Sequence, residues 1–281
     1  MLKANNRQAI EWKSMSTKEK EMAELLAKTH RNERLLAVVS HVNPNVSAIL
    51  DLGCGIGALT TRLAERFPST LVVGIDRSKY LLSRLQRKKN VMTILGDIPT
   101  LPLRNQFFDL VAAVQVLHEI FHFKGAEALI STFKNVSHLL KKDGELIILD
   151  HFNPGDAPIS FKLSEELRRK LCEFQSKFRP RKIVYYDLGE GWIRTSMRDF
   201  CDFITKIWAL NSGLEEEEMS ETHTPFTRQE LENLVQEAGF KVEHTTSLTR
   251  IDRYLEYYGI TVESTVKLPN RHILLKAKRV E

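Results

Sequence analysis

Between residues 48 and 150, apolar runs of strand length alternate with helical stretches, and this alternation limits what the chain can fold into. AILDLG (48–53), TLVVGID (70–76), VMTILGD (91–97), FDLVAAVQV (108–116) and GELIILD (144–150) are apolar on both faces. Strands buried on both sides read this way. Between them, ALTTRLAERF (58–67) puts Leu59, Leu63, Ala64 and Phe67 on one helical face, and 78–89 reads as a short helix with a basic outer face. Residues 124–142 repeat Ala126, Leu129, Ile130, Phe133, Val136, Leu139 and Leu140 at helical spacing. Lys141, Lys142 and Gly144 predict that this helix closes there. The pattern predicts an α/β fold: a mostly parallel sheet with helices on both faces.

The flanking segments read differently. Residues 1–47 predict N-terminal helices, with apolar pairs such as Leu25–Leu26 and Leu35–Leu36, ended by Asn43-Pro44-Asn45. Trp12 and Met15, in an otherwise polar leader, suggest that this segment closes over a ligand. Residues 151–226 break the alternation and predict a helical cap insertion, rich in aromatic side chains such as Phe174, Phe178, Tyr185, Trp192 and Trp208. Residues 227–281 predict a closing helix, with Thr227 and Glu230 at capping-box spacing, and then strands at 240–248 and 271–278. The expected organisation is therefore 1–47, 48–150, 151–226 and 227–281, with the cap belonging to the same domain as the core.

Composition removes several function classes. No apolar run approaches the length of a membrane span, and the N-terminus has no secretory apolar core. Cys54, Cys172 and Cys201 form no CxxC pair, which argues against a disulfide framework or thiolate zinc site and favours a reducing, cytoplasmic setting. The net charge of +5 is mild, but residues 161–182 hold eight Lys/Arg against three Glu, while 215–221 hold five Glu.

The chemistry is concentrated in Asp51-Leu52-Gly53-Cys54-Gly55-Ile56-Gly57, at the first strand-to-helix turn. Glycines there allow a sharp turn and close approach of a ligand, and the helix N-terminus beyond them offers free N–H groups. The spacing also satisfies a relaxed dinucleotide fingerprint, with Asp76 placed as a ribose-binding acid. Two ligands therefore compete: a dinucleotide and S-adenosylmethionine. A dinucleotide would bring its diphosphate against Asp51, and at about 5 Å and an effective dielectric near 20 each like-charge pair costs on the order of 3 kcal/mol. S-adenosylmethionine brings an ammonium and a sulfonium instead, which an acid welcomes. Asp97, ending the third strand, is placed to accept from an adenine amino group.

Strand-DLGCGIG-helix, then GID, GDIPTLPLRNQFFDLV and VLHEI, resembles the class I S-adenosylmethionine-dependent methyltransferases, in particular the ubiquinone/menaquinone-biosynthesis-like group acting on small molecules. The resemblance covers about 45–150 and extends plausibly to 227–278. It implies a Rossmann-like, seven-stranded sheet whose last strand is antiparallel. It also implies roles: Asp51, Gly53, Gly55 and Gly57 around the methionine part, with Cys54 as a small filler of the same loop and not a nucleophile. Asp76 would hold the ribose hydroxyls, Arg77 pack near the adenine, Asp97 and the Ile98 backbone read its edge, and Gln115 lie under the methionine end.

Methyl transfer needs alignment and water exclusion, and a base only where the acceptor carries a proton. His118, after the fourth strand, stands where such folds bind ligands and is the candidate base; a histidine that merely bonds the loop is the alternative. His122, His151 and His223 are further histidines that the sequence does not place. No metal is expected, although His118-Glu119-Ile120-Phe121-His122 has HExxH spacing. The residues after strand four are not the Asn/Asp-Pro-Pro-aromatic motif of adenine methylation, and no Pro-Cys pair suggests cytosine methylation. A small-molecule acceptor is the main expectation. RNA held by 161–182, a protein or peptide acceptor, and a non-catalytic binding protein are the alternatives.

Overall fold

The computed structural model describes residues 32–97 and 103–280. The leader with Trp12 and Met15, and Ile98 after the third strand, lie outside the described residues. Two compact units emerge: 32–151 with 228–248 and 272–280, and 152–227 with 249–271.

The first unit is built on a seven-stranded sheet. Its strands are β1 (Ala48–Leu52), β2 (Leu71–Asp76), β3 (Val91–Leu95), β4 (Phe108–Val114), β5 (Leu140–His151), β9 (Phe240–Arg250) and β11 (Asn270–Arg279), in the order β3-β2-β1-β4-β5-β11-β9. Pairings β1/β2, β1/β4, β2/β3 and β4/β5 are parallel, and β11 runs antiparallel to β5. All five residues of β1 are buried, as its unbroken apolar run demands. Helix Ala58–Arg66 buries Leu59, Leu63 and Ala64 against that sheet, and Leu35 and Val38 of the helical stretch 32–40 join the same core.

Two boundaries depart from the periodicity. The helix expected at 124–142 runs from Leu117 to Leu139 and is broken at Gly125, whose φ of 80° and ψ of 177° no helix contains. It ends earlier than Lys141 and Lys142 predict, because Leu140 turns extended and opens β5. Lys141 instead donates to Asp109 at 2.7 Å, and Asp143, with φ 63°, lies in β5 just before Gly144. The helix expected at 78–89 shortens to Lys79–Ser83, capped by the Ser78 hydroxyl.

The second unit carries the expected helices, among them Glu165–Lys177 and Met197–Lys206, but also a four-stranded antiparallel sheet. Its strands are β6 (Pro158–Lys162), β7 (Tyr185–Gly189), β8 (Trp192–Ser196) and β10 (Thr261–Val262), ordered β10-β6-β8-β7. The β7–β8 hairpin turns at Gly189-Glu190-Gly191, all with positive φ. Residues 249–271 join this unit because Ile251, Tyr254, Leu255 and Ile260 pack into its core and β10 pairs with β6. Five cap phenylalanines pack against one another: Phe174 meets Phe178 at 4.8 Å and Phe203 at 5.7 Å, and Phe161 meets Phe200 at 4.6 Å.

Candidate active site

The strands β1, β2 and β4 deliver the predicted residues to one edge of the sheet. The turn after β1 has φ of 66°, 55° and 78° at Gly53, Gly55 and Gly57. A Cβ at Gly57 would lie 2.3 Å from Leu85 Cγ, so that glycine is required by packing. At Gly55 a Cβ would meet nothing within 4 Å; this glycine faces open space, as a loop that receives a ligand should.

Asp51 is 2% exposed and accepts a hydrogen bond from the Thr60 hydroxyl at 2.6 Å. Burial pushes its carboxyl up to about 7, against the pull of Thr60 and with a small push from Asp76. No ion pair reaches Asp51 among the described residues. A buried acid whose ionisation is disfavoured by burial, beside a glycine turn, is a poor structural element and a good receptor for a cation. Asp76 ties the loop to the segment after β2: its Oδ2 accepts from the Gly55 N–H and its Oδ1 from the Ser78 N–H, both at 2.8 Å. Each oxygen keeps a second lone pair for a ligand hydroxyl. Cys54 is buried, and burial together with Asp51 and Asp76 drives its thiol up to about 12, which agrees with a filler and not a nucleophile.

The outer residues are engaged with one another. Arg77 pairs with Glu119 at 3.3 Å, and Asp97 pairs with Lys124 at 2.5 Å. Burial pushes the Glu119 carboxyl upward, while His118 and Arg77 pull it back. Neither Glu119 nor Lys124 stands out in the sequence, since charged residues on a helix usually face water.

His118 is buried, and its Nδ1 stands 2.6 Å from Asp150 Oδ1. Asp150 is fully buried at the end of β5; its Oδ2 accepts from the Val116, Leu117 and His118 N–H groups at 3.1, 2.8 and 3.4 Å, and its Oδ1 from the His151 N–H at 2.7 Å. A carboxylate so placed makes Nδ1 the donor and leaves Nε2 with the lone pair. The ring of His118 lies 4.9 Å from that of His151, which lies 4.7 Å from His272. Gln115 takes a left-handed φ of 52°, and its Nε2 lies 3.2 Å from His151 Nε2 and 3.4 Å from His272 Nε2. Arg34 Nη1 reaches His272 Nε2 at 3.0 Å. Of this row the sequence singles out Gln115 and His118. It leaves His151 unplaced, and Asp150, His272 and Arg34 carry no local signal; only the pairing of His151 with His272 across β5 and β11 brings them in.

His118 of the HExxH spacing is bonded through Nδ1 to Asp150; the one group of three potential metal ligands close together among the described residues, Glu218, Glu221 and His223, is already served by the buried Lys206, 2.8 Å from Glu218 and 3.6 Å from Glu221.

Comparison with known proteins agrees with this geometry. Residues 49–144 match the family model described as a methyltransferase domain. A malonyl-[acyl-carrier protein] O-methyltransferase of Geobacter sulfurreducens is 30% identical over 116 residues, 40% of this chain and 41% of that protein. A demethylmenaquinone methyltransferase of Thermotoga maritima is 25% identical over 136 residues, 48% of this chain and 56% of that protein. These matches span about half the length of the relatives. Among solved structures, an S-adenosylmethionine-dependent methyltransferase from Mesorhizobium loti superposes with TM-score 0.53 at 18% identity, covering 87% of this chain and 96% of that one. Human N-acetylserotonin methyltransferase, solved with S-adenosylmethionine, gives 0.50 at 14% identity, covering 91% and 58%. Residues 49–144 thus match a methyltransferase domain, and the fold is the Rossmann-like one of solved S-adenosylmethionine-dependent methyltransferases.

Proposed function

We propose that the protein transfers a methyl group to an oxygen atom of a small-molecule acceptor, with His118 as the base. The observation that carries the reading is Asp51: a buried carboxylate, pushed up to about 7, at a glycine turn whose Gly55 faces open space. A cationic amino acid group would restore its charge, whereas a diphosphate would not. When bound, S-adenosylmethionine supplies a methyl carbon made electrophilic by the adjoining sulfonium.

This chain's residues do the rest. Asp51 and the turn at Gly53, Cys54, Gly55 and Gly57 hold the amino acid end. Asp76 offers its two remaining lone pairs to the ribose hydroxyls. Arg77, Asp97 and Ile98 are assigned to the adenine, and Gln115 to the methionine end. His118, with Nδ1 committed to Asp150, presents Nε2 as the atom that takes a proton from an acceptor hydroxyl. The donors of Arg34 and Gln115, in the same row, favour the oxyanion that results. The O-methyltransferase named among the relatives supports oxygen as the methylated atom. Among the described residues no helix is long and apolar enough to cross a membrane, and the cysteines are free; a cytoplasmic setting fits both.

The RNA reading loses support because the basic segment is largely neutralised in place. Arg168 pairs with Asp187, Lys170 with Glu166, Lys177 with Glu173 and Glu215, and Arg181 with Asp199 and Asp202. A binding-only protein would have no use for a buried His118–Asp150 pair beside the cofactor turn.

The test is incubation with methyl-labelled cofactor and a fractionated cell extract. Label is expected in a low-mass fraction. Asp76→Ala is expected to weaken cofactor binding by about 1–3 kcal/mol, the scale of hydrogen bonds to a charged group. Label entering only RNA or protein would overturn the acceptor class, and an unchanged cofactor Kd would overturn the role of Asp76.

A further inference from the structure

We infer that residues 117–124 form a clamp across the adenosine side of the cofactor site, closed by two ion pairs, with Glu119 and Lys124 as cofactor-site residues. The inference rests on the cofactor reading above.

Strand order sets the distances involved. The segment leaves the end of β4, yet its side chains reach the ends of two other strands. Glu119 meets Arg77, just after β2, and Lys124 meets Asp97, just after β3. In the order β3-β2-β1-β4, these targets are two and three strands away. At about 4.8 Å per strand the farther one is about 14 Å off. Eight helical residues extend about 12 Å, so the segment spans that distance only by running across the ends of β1 and β2. Those ends carry the glycine turn and Asp76. Its root touches the same turn: a Cβ at Gly53 would lie 2.5 Å from Val116.

Non-helical backbone marks both ends of the segment. Gln115 has φ 52°, and Gly125 has φ 80° and ψ 177°, which separates 117–124 from the rest of the helix. The start of the segment stays fixed, because buried Asp150 accepts from the Leu117 and His118 N–H groups and Leu117, His118 and Ile120 are buried, so opening is confined to the exposed ion pairs and the Gly125 end. The ties are light: the side chains are 63% and 40% exposed for Arg77 and Glu119, and 37% and 48% for Lys124 and Asp97. Exposed pairs of this kind open readily. A carboxylate accepts from several donors at once, so Lys124 and an adenine amino group can share Asp97. The clamp therefore closes equally well with and without adenosine beneath it. A contact made equally in both states leaves the equilibrium constant alone and slows both entry and exit.

The experiment measures association and dissociation of labelled S-adenosylhomocysteine by stopped flow and filter retention. Lys124→Met is expected to raise both rate constants by about two- to fivefold, the range an exposed ion pair commands, with Kd held within about twofold. Lys124→Arg is expected to restore the wild-type rates, and Glu119→Gln to act in the same direction as Lys124→Met. Unchanged rates in Lys124→Met would overturn the clamp. So would a faster exit with unchanged entry, which would make Lys124 an ordinary ligand contact. No binding by the wild-type protein would overturn the cofactor reading, and the clamp with it.

Discussion

Asp150 and His118, joined Oδ1 to Nδ1 at 2.6 Å, form a buried pair at the junction of β5 with the helix after β4. The same carboxylate binds three N–H groups at that helix start. Asp150 thus fixes the helix terminus and the imidazole together. Asp150→Asn preserves the shape but can turn an N–H toward Nδ1. We expect kcat to fall about 10²-fold or more, the scale of a misassigned general base, with cofactor Kd within about twofold. His118→Gln should lower kcat by a similar factor, with cofactor Kd again within about twofold. Full activity in His118→Gln would leave this histidine a structural role only.

Asp51 is expected to link cofactor affinity to pH. Its carboxyl titrates near 7 and must be charged to receive an ammonium. Affinity is therefore expected to rise with pH up to about 7 and then level off, with proton release on binding below that point. Calorimetry in buffers of different ionisation enthalpy reads this directly; a flat profile between about pH 5 and pH 8 would contradict it.

The same group shapes stability without ligand. Its folded value lies above the unfolded 3.8, so its contribution is greatest below pH 4 and is lost as pH rises toward 7. Asp51→Asn should flatten this slope and raise the melting temperature at pH 8 by about 5 °C, while abolishing the shift that cofactor produces. Thermal melts at pH 4 and pH 8 check both halves.

Alkylation should separate the cysteines. Burial and two nearby acids hold the Cys54 thiol near 12, and burial raises Cys201 as well, while Cys172 is exposed. Iodoacetamide at pH 8 is expected to label Cys172 alone in the folded protein. Mass spectrometry showing early modification of Cys54 would mean that the glycine turn opens.

RNA binding is expected to be absent. With Arg168, Lys170, Lys177, Arg179 and Arg181 already paired, filter retention of total RNA at 150 mM salt should not exceed background. Binding that falls steeply with salt would restore the nucleic-acid reading.

The core is readable because both of its periodicities are strong. Apolar runs such as 48–52 and 108–114 allow little else, and the glycine turn carries its own conformational demand. Asp51 and Asp76 emerge directly from strand ends. The second sheet is harder to see: Tyr185–Gly189 and Trp192–Ser196 flank a Gly-Glu-Gly turn, a hairpin signal hidden among aromatic residues that also suit helices. Of the acceptor-side row only Gln115 and His118 are legible. Arg34, Gln115, Asp150 and His272 lie up to 238 residues apart and meet only through strand order. Gly125 breaks a helix whose apolar repeat continues without a gap, so periodicity alone masks it.

The position of β11 bears on synthesis. Residues 270–279 are the last of the sheet to be translated, yet they slot between β5 and β9 and not at a border. Until they emerge from the ribosome, the strands on either side of them stay unjoined, and β5 presents an edge of unpaired N–H and C=O groups in the nascent protein. Completion of this fold is therefore a late event, and chaperone protection is most valuable just before that strand appears.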